Sequence, residues 1–431
     1  MNYFSTNTPA KKVAFQEAVR KGLPDDNGLY LPEDIPVLPA SFFERLPSLS
    51  LQEIGLEVAK IFVGDEIPES DLKLLVEEVL SFDTPVVKVE EDVYSLELYH
   101  GPTLAFKDVG ARFMARCLSY FNQQKKEEVT VLAATSGDTG SAVANGFLNV
   151  EGVQVVLLYP KGKVSPFQEK QMTTLGQNIK ALEIDGSFDD CQKLVKTAFL
   201  DPELSKKLGL TSANSINIAR LIPQSFYYFY AYGQLVNKTD KPIVFSVPSG
   251  NYGNLTAGVF AQRMGLPVHH FVASTNVNDI VPHYLNTGSF TPKASIQTIS
   301  NAMDVGNPSN FARLSYLFGG SQEEFSTSVI GNSYSDDETK ASLRKLKNLG
   351  YIADPHGAVG FLGLKEYQEF NDVTGIFLET AHPIKFKEVV ERVLAIDLDV
   401  PDTLKAHLNK KKIALRCSSE YKDFKQVLVA L

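Results

Sequence analysis

Lys107 lies in Gly101-Pro102-Thr103-Leu104-Ala105-Phe106-Lys107-Asp108, where an apolar run, Val93 to Tyr99, passes through a Gly-Pro turn into a helical stretch. A primary amine is the side-chain group that joins an aldehyde reversibly as an imine. At a helix start the positive end of the helix dipole disfavours an ammonium, which helps keep such an amine nucleophilic. The apolar neighbours Leu104, Ala105 and Phe106 point to partial burial. The plain alternative is a surface lysine with its stem on the protein and its charge in water.

Polar turns elsewhere could serve that amine. Thr135-Ser136-Gly137-Asp138-Thr139-Gly140, Ser249-Gly250-Asn251-Tyr252-Gly253-Asn254 and Glu379-Thr380-Ala381-His382-Pro383 each follow a strand-like run, and the first two also precede a helical one. In the second, Gly250 and Gly253 let the backbone approach an anion, and the helix start offers unpaired N–H groups. It lacks the Gly-Lys-Ser/Thr ending of a nucleotide-binding loop. Asp138 makes the first turn less suited to phosphate, whereas hydroxyls and N–H groups there suit a substrate carboxylate. Between Thr211 and Arg220, hydroxyls and amides precede a helix that brings in Arg220, whose fork suits phosphate oxygens. Asn301 to Asn310 is a loop of side-chain turn formers. Together these features are what a chain needs to hold a phosphorylated aldehyde cofactor against an amine. The histidines form no metal site: His269 and His270 are neighbours on a strand-like run and point to opposite faces, and His382 reads as a structural hydrogen-bonder.

The elements that must position these groups alternate. Strands are expected at Val129 to Ala133, Val153 to Tyr159, Ile179 to Ile184, Ile243 to Val247, His270 to Ala273 and Gly375 to Leu378. Helices are expected at Ser141 to Phe147, Ser165 to Leu175, Phe188 to Leu200 and Leu255 to Met264. Such alternation implies right-handed crossovers and two facing α/β units with mostly parallel sheets. The turns would lie outside the carboxyl ends of the strands, where ligands bind in sheets of this kind. Residues 1–88 read as a mostly helical N-terminal unit, 112–230 as a smaller mobile α/β unit, and 89–111 with 231–431 as a larger cofactor unit with a C-terminal extension. A long connecting loop is expected between Thr287 and Pro308.

A length of 431 residues calls for two or three domains. The net charge of -9 argues against nucleic-acid or anionic-membrane partners, which favour a concentrated basic face. Three widely spaced cysteines without metal-ligand spacing indicate reduced thiols and a cytoplasmic protein. Neither a signal peptide nor a membrane span is apparent. A monomer or homodimer is expected.

The motifs around Lys107, with Gly28-Leu29-Tyr30-Leu31-Pro32 and the stretches 135–140, 211–220, 249–254, 301–310 and 379–386 in the same order, resemble the threonine synthase family of fold-type II pyridoxal-phosphate enzymes. The likeness spans nearly the whole chain and implies a tryptophan-synthase-β-like fold with pyridoxal 5'-phosphate as cofactor. It implies an imine at Lys107, a phosphate cradle at Gly250, Asn251, Tyr252, Gly253 and Asn254, and Thr380 at the pyridine nitrogen. Thr135, Ser136 and Thr139 would meet the substrate carboxylate, and Asp138 the ring side of the cofactor. Asn214, Ser215, Arg220 and Asn251 would take a substrate phosphate. The implied reaction converts O-phospho-L-homoserine and water to L-threonine and phosphate. The alternatives are a related phospho-lyase, a serine/threonine dehydratase and an inactive cofactor-binding regulatory protein.

Overall fold

The computed structural model describes residues 1–125 and 128–431. Strands Val129–Ala134, Ile243–Pro248 and Thr374–Glu379 are buried at every position, because helices cover both faces of their sheets. That is why they read as unbroken apolar runs. Helix starts follow the serines: Ser165, Ser187 and Ser335 each close a reciprocal capping box, opening the helices Pro166–Thr173, Phe188–Leu200 and Asp336–Asn348.

The larger sheet has six strands in the order Val329–Tyr334, His270–Asn276, Ile243–Pro248, Thr374–Glu379, Val93–Glu97, Val86–Glu90. All pairs are parallel except the last. The smaller sheet is parallel throughout, in the order Leu415–Ser418, Ile179–Asp185, Val153–Pro160, Val129–Ala134, Leu210–Ser212. The two α/β units expected from the alternation are therefore present. The strand Val329–Tyr334 was not anticipated; alternate partial burial leaves it without an apolar run.

Two segments differ from the reading of the sequence. Residues 1–88 contain the helices Leu51–Val63 and Glu69–Val79, but also an antiparallel sheet of Asn2–Ser5, Lys12–Ala14 and Tyr30–Pro32. Strands of three or four residues are too short to show a period of two. The C-terminal segment, expected as an extension of the larger unit, crosses back. Leu415–Ser418 pairs with Leu182 to Asp185 at the edge of the smaller sheet, and Phe424 and Leu428 of the last helix join that sheet's outer core. An edge that would otherwise offer unpaired backbone groups is thereby covered.

One hydrophobic core links the N-terminal region with both sheets. Phe62 stacks on Phe260 at 5.7 Å, and Phe15 meets Phe121 edge-on at 6.1 Å. The expected long connection is also seen: between Thr287 and Phe311 the only regular element is the short 3-10 turn Asn301–Met303.

Candidate active site

Four polar loops leave the carboxyl ends of parallel strands and meet at one cleft. Thr135 follows Ala134, Asn214 lies just beyond Ser212, Ser249 follows Pro248 and Thr380 follows Glu379. The cleft measures about 650 Å³, and Lys107 is among its lining residues. The candidate cofactor and substrate residues line it: Thr135, Ser136, Asp138, Thr139, Asn214, Ser215, Arg220, Gly250, Asn251, Tyr252, Gly253, Asn254 and Thr380.

Lys107 opens the helix Lys107–Lys125. The turn before it is held tightly: Leu104 takes the left-handed conformation at φ 59, and the Thr103 N–H and hydroxyl both donate to Asp108, at 2.8 and 2.5 Å. The Phe106 N–H donates to the Thr380 carbonyl at 2.9 Å, and the His382 N–H to the Leu104 carbonyl at 3.0 Å. These bonds sew the lysine turn to the third polar turn. Lys107 Nζ lies 4.8 Å from the centre of the Phe106 ring and 3.8 Å from Asp138 Oδ2. Burial lowers the Lys107 ammonium below the ordinary lysine range; Lys385 and Arg220 add to this against the opposing pull of Asp138.

Asp138 starts the helix Asp138–Gly146, and its Oδ1 is 2.8 Å from Lys385 Nζ and 2.9 Å from Gln168 Nε2. Burial pushes this carboxyl up, but Lys385 and Lys107 outweigh it and hold it well below the usual carboxylate range. Gly137 sits at φ 139 with the Gln168 amide against it, where any Cβ would collide at 2.3 Å. Thr135 orders this turn, since its Oγ1 accepts from the N–H groups of Gly137 and Gly140 at 2.9 and 2.7 Å.

An anion cradle forms at the start of the helix Gly253–Arg263, where the first N–H groups have no intrahelical acceptors. Asn254 sharpens it. Its Oδ1 accepts from the hydroxyls of Tyr227 and Tyr228 at 2.8 and 2.7 Å, which turns its Nδ2 the other way. That Nδ2 is buried and has no partner among the described residues. Gly250 packs so closely that a Cβ would lie 2.6 Å from Met303 Cα. Tyr252 takes the left-handed conformation at φ 59 to aim the helix start. The Asn251 side chain ties loops together instead, donating to Ser215 Oγ and accepting from the Ser309 N–H, both at 2.5 Å.

A second place suited to an anion lies at Arg220, which is buried. One guanidinium nitrogen, Nη1, donates to the Ala213 carbonyl, while Nε is buried without a partner among the described residues. Burial lowers the group to about 10, with Asp108 pulling the other way. Asn214 Nδ2 is held by the Ala134 carbonyl at 2.9 Å, which fixes this loop to the first turn.

Family models match the chain end to end: "Threonine synthase N terminus" over residues 2–80, "Pyridoxal-phosphate dependent enzyme" over 80–375 and "Threonine synthase, C-terminal" over 357–428. The threonine synthase of Haemophilus influenzae is 48% identical, covering 94% of each chain, and that of Escherichia coli K12 is 47% identical, also covering 94% of each. The chain belongs to the threonine synthase family. In structure it is similar to the Escherichia coli enzyme, with TM-score 0.94, 43% identity and full coverage of both chains. It is also similar to a pyridoxal-phosphate-bound threonine synthase from Brucella melitensis, with TM-score 0.92, 36% identity and coverage of 99% and 98%. The fold is that of a fold-type II pyridoxal-phosphate enzyme, and pyridoxal phosphate is the cofactor.

The residues present fit that group. The unpaired Asn254 Nδ2 and the helix start suit a phosphate, and Lys107 in the same cleft suits an aldehyde. Reading the sequence missed several residues that shape the site. Tyr227 and Tyr228 orient Asn254 from a run that reads only as an aromatic helix. Arg313 is fully buried and donates to Tyr30 O, Ser215 O, Ile216 O and Asn310 Oδ1 at 3.0, 3.2, 2.6 and 2.8 Å. Nothing in its neighbourhood of sequence marks it. Lys385 is fully buried in the turn Pro383–Phe386, and its sequence neighbours do not distinguish it from a surface lysine. Among the described residues no His, Cys, Asp and Glu cluster could hold a metal, and no helix is long and apolar enough to cross a membrane.

Proposed function

We propose that this protein converts O-phospho-L-homoserine and water to L-threonine and phosphate. The observation that carries the reading is one cleft lined by an amine and by two side chains with buried, unpaired donors, Asn254 and Arg220. A cofactor phosphate needs one such donor, and a phosphorylated substrate needs the other. Membership of the threonine synthase family supports the same assignment.

In this reading the helix start at Gly253 and the Asn254 amide would hold the cofactor phosphate, with Gly250 and Tyr252 shaping the approach. Thr380, which lines the cleft, would offer a hydroxyl and not a carboxylate to the ring nitrogen, which would keep that nitrogen unprotonated. The cofactor, when bound, supplies an aldehyde for the substrate amine and a ring that takes up electrons as protons leave. Ser136 and Thr139 hold the substrate carboxylate, while Arg220, Asn214 and Ser215 hold its phosphate. Lys107 Nζ removes the α-proton and then a β-proton, and it returns a proton to the γ-carbon after phosphate departs. Water then adds with its hydroxyl at the β-carbon, Lys107 returns a proton to the α-carbon, and the remaining proton leaves with the phosphate. A base fixed at short range can serve neighbouring carbons in turn. The smaller unit, residues 112–230 with the C-terminal strand and helix that join its sheet, closes over the cleft to exclude water until phosphate has left. The protein works in the cytoplasm as a monomer or homodimer. Its three cysteines, all free and buried, are in keeping with a reducing compartment.

The test is to incubate purified protein with O-phosphohomoserine and follow threonine, phosphate and 2-oxobutanoate together. Threonine and phosphate in equal amounts are expected. Phosphate with 2-oxobutanoate and no threonine would replace this reading with a phospho-lyase. Borohydride reduction followed by peptide mass mapping locates the cofactor lysine independently. A pyridoxyl adduct elsewhere than Lys107 would overturn the site assignment.

A further inference from the structure

Lys385 has no part in the chemistry above, yet it is fully buried beside it. It projects from the turn Pro383–Phe386, and its Nζ donates to the Thr103 carbonyl at 2.9 Å and meets Asp138 Oδ1 at 2.8 Å. Asp138 belongs to the other unit, at the start of a helix beside the smaller sheet, and its second oxygen faces Lys107 Nζ at 3.8 Å. One carboxylate therefore stands between two ammonium groups, and the short contact goes to Lys385. Left alone at 3.8 Å, an ionised carboxylate would favour a protonated Lys107.

We propose that Lys385 is a positioning residue for Lys107: by engaging Asp138 it draws the carboxylate's charge away and leaves the Lys107 amine free to act as nucleophile and base. The remaining charged groups around Lys107 are in keeping with this. Arg220, from the helix Ile218–Leu221, is a further cation. Asp354, at the start of the helix Pro355–Gln368, is occupied by His356 Nδ1 at 2.8 Å and the Gly357 N–H at 2.7 Å. Asp108, on the helix of Lys107 itself, is occupied by Thr103. Asp138 is thus the anion with an oxygen directed at Lys107, and Lys385 is its counter-charge.

The inference rests on Lys107 being the cofactor lysine, which borohydride trapping tests separately. Its own test reads the amine directly. The full-length chain, freed of cofactor, is labelled competitively with acetic anhydride across a pH series, and the Lys107 peptide is quantified by mass spectrometry. Lys385→Met should raise the pH midpoint of Lys107 labelling by about 1–3 units, the usual effect of an opposite charge at this range. Lys385→Arg should leave it near the wild-type value. In an Asp138→Asn background the Lys385→Met shift should be at most about half as large, because the carboxylate that carries the effect is gone. That double variant also leaves no unpaired buried carboxylate, so it remains measurable where the single variant folds poorly. A Lys385→Met midpoint within about 0.3 unit of wild type, or a full shift without Asp138, overturns the proposal.

Discussion

Asn254 offers the sharpest test of the proposed cofactor cradle. Its oxygen is pinned by two tyrosine hydroxyls at 2.8 and 2.7 Å, and its buried Nδ2 has no partner among the described residues. Asn254→Asp keeps the shape and both tyrosine bonds while replacing the free donor with an anionic oxygen. A hydrogen bond to a charged group contributes about 1.5–3 kcal/mol, so its loss alone weakens phosphate binding by roughly 10- to 150-fold. Repulsion between carboxylate and phosphate adds to that, and a loss of at least about a hundredfold is expected. The assay is a spectral titration of cofactor-free protein with pyridoxal phosphate and, in parallel, with pyridoxal. Pyridoxal lacks the phosphate, so its affinity should change by less than about threefold, under 1 kcal/mol. Equal losses for the two ligands would mean that Asn254 supports the fold alone, and an unchanged pyridoxal-phosphate affinity would place the phosphate elsewhere. Tyr228→Phe removes one of the two bonds that orient the amide, so it should cost about fivefold, near 1 kcal/mol, again for the phosphorylated ligand only.

Arg220→Ala should lower kcat/KM for O-phosphohomoserine by at least roughly tenfold, since one charge-assisted bond is worth about 1.5 kcal/mol or more. Slow deamination of serine, which carries no phosphate, should fall much less, and equal losses would move the substrate phosphate away from Arg220. Glu379 is buried with no counter-charge among the described residues; burial and then the nearby Asp354 carboxylate raise its carboxyl well above the ordinary range. A raised carboxyl contributes stability that is complete below its unfolded value of about 4.3 and is lost as pH rises through the folded value. Glu379→Gln removes that loss, so thermal melts should show Tm rising relative to wild type at pH 8 and little change at pH 4. A variant that is less stable at pH 8 would show that the ionised form is the one the fold accommodates.

Much of the site was legible because its signals are local. Lys107 is recognisable from a Gly-Pro turn leading into a helix, and Gly250 and Gly253 from a strand-to-helix turn. Each depends on residues within one turn of chain, where spacing alone states the backbone geometry. The serine-capped helices were placed for the same reason, with Phe188–Leu200 bounded as expected. Lys385 was harder, because a buried lysine differs from a surface one only through its partners, Asp138 and Thr103, which lie far away in sequence.

The sequence by itself determined the two α/β units, the family motifs, the cofactor lysine candidate and the loops that lie at strand ends. These follow from hydrophobic periodicity, turn chemistry and capping, all of which act over a few residues. Only the tertiary structure decided which charges meet and which strands pair at a distance. It set Asp138 between Lys107 and Lys385, turned Asn254 with Tyr227 and Tyr228, and returned Leu415–Ser418 to the smaller sheet. Those outcomes depend on burial and on pairing between remote segments. A buried charge or an open sheet edge must find a partner, but no local pattern names which one.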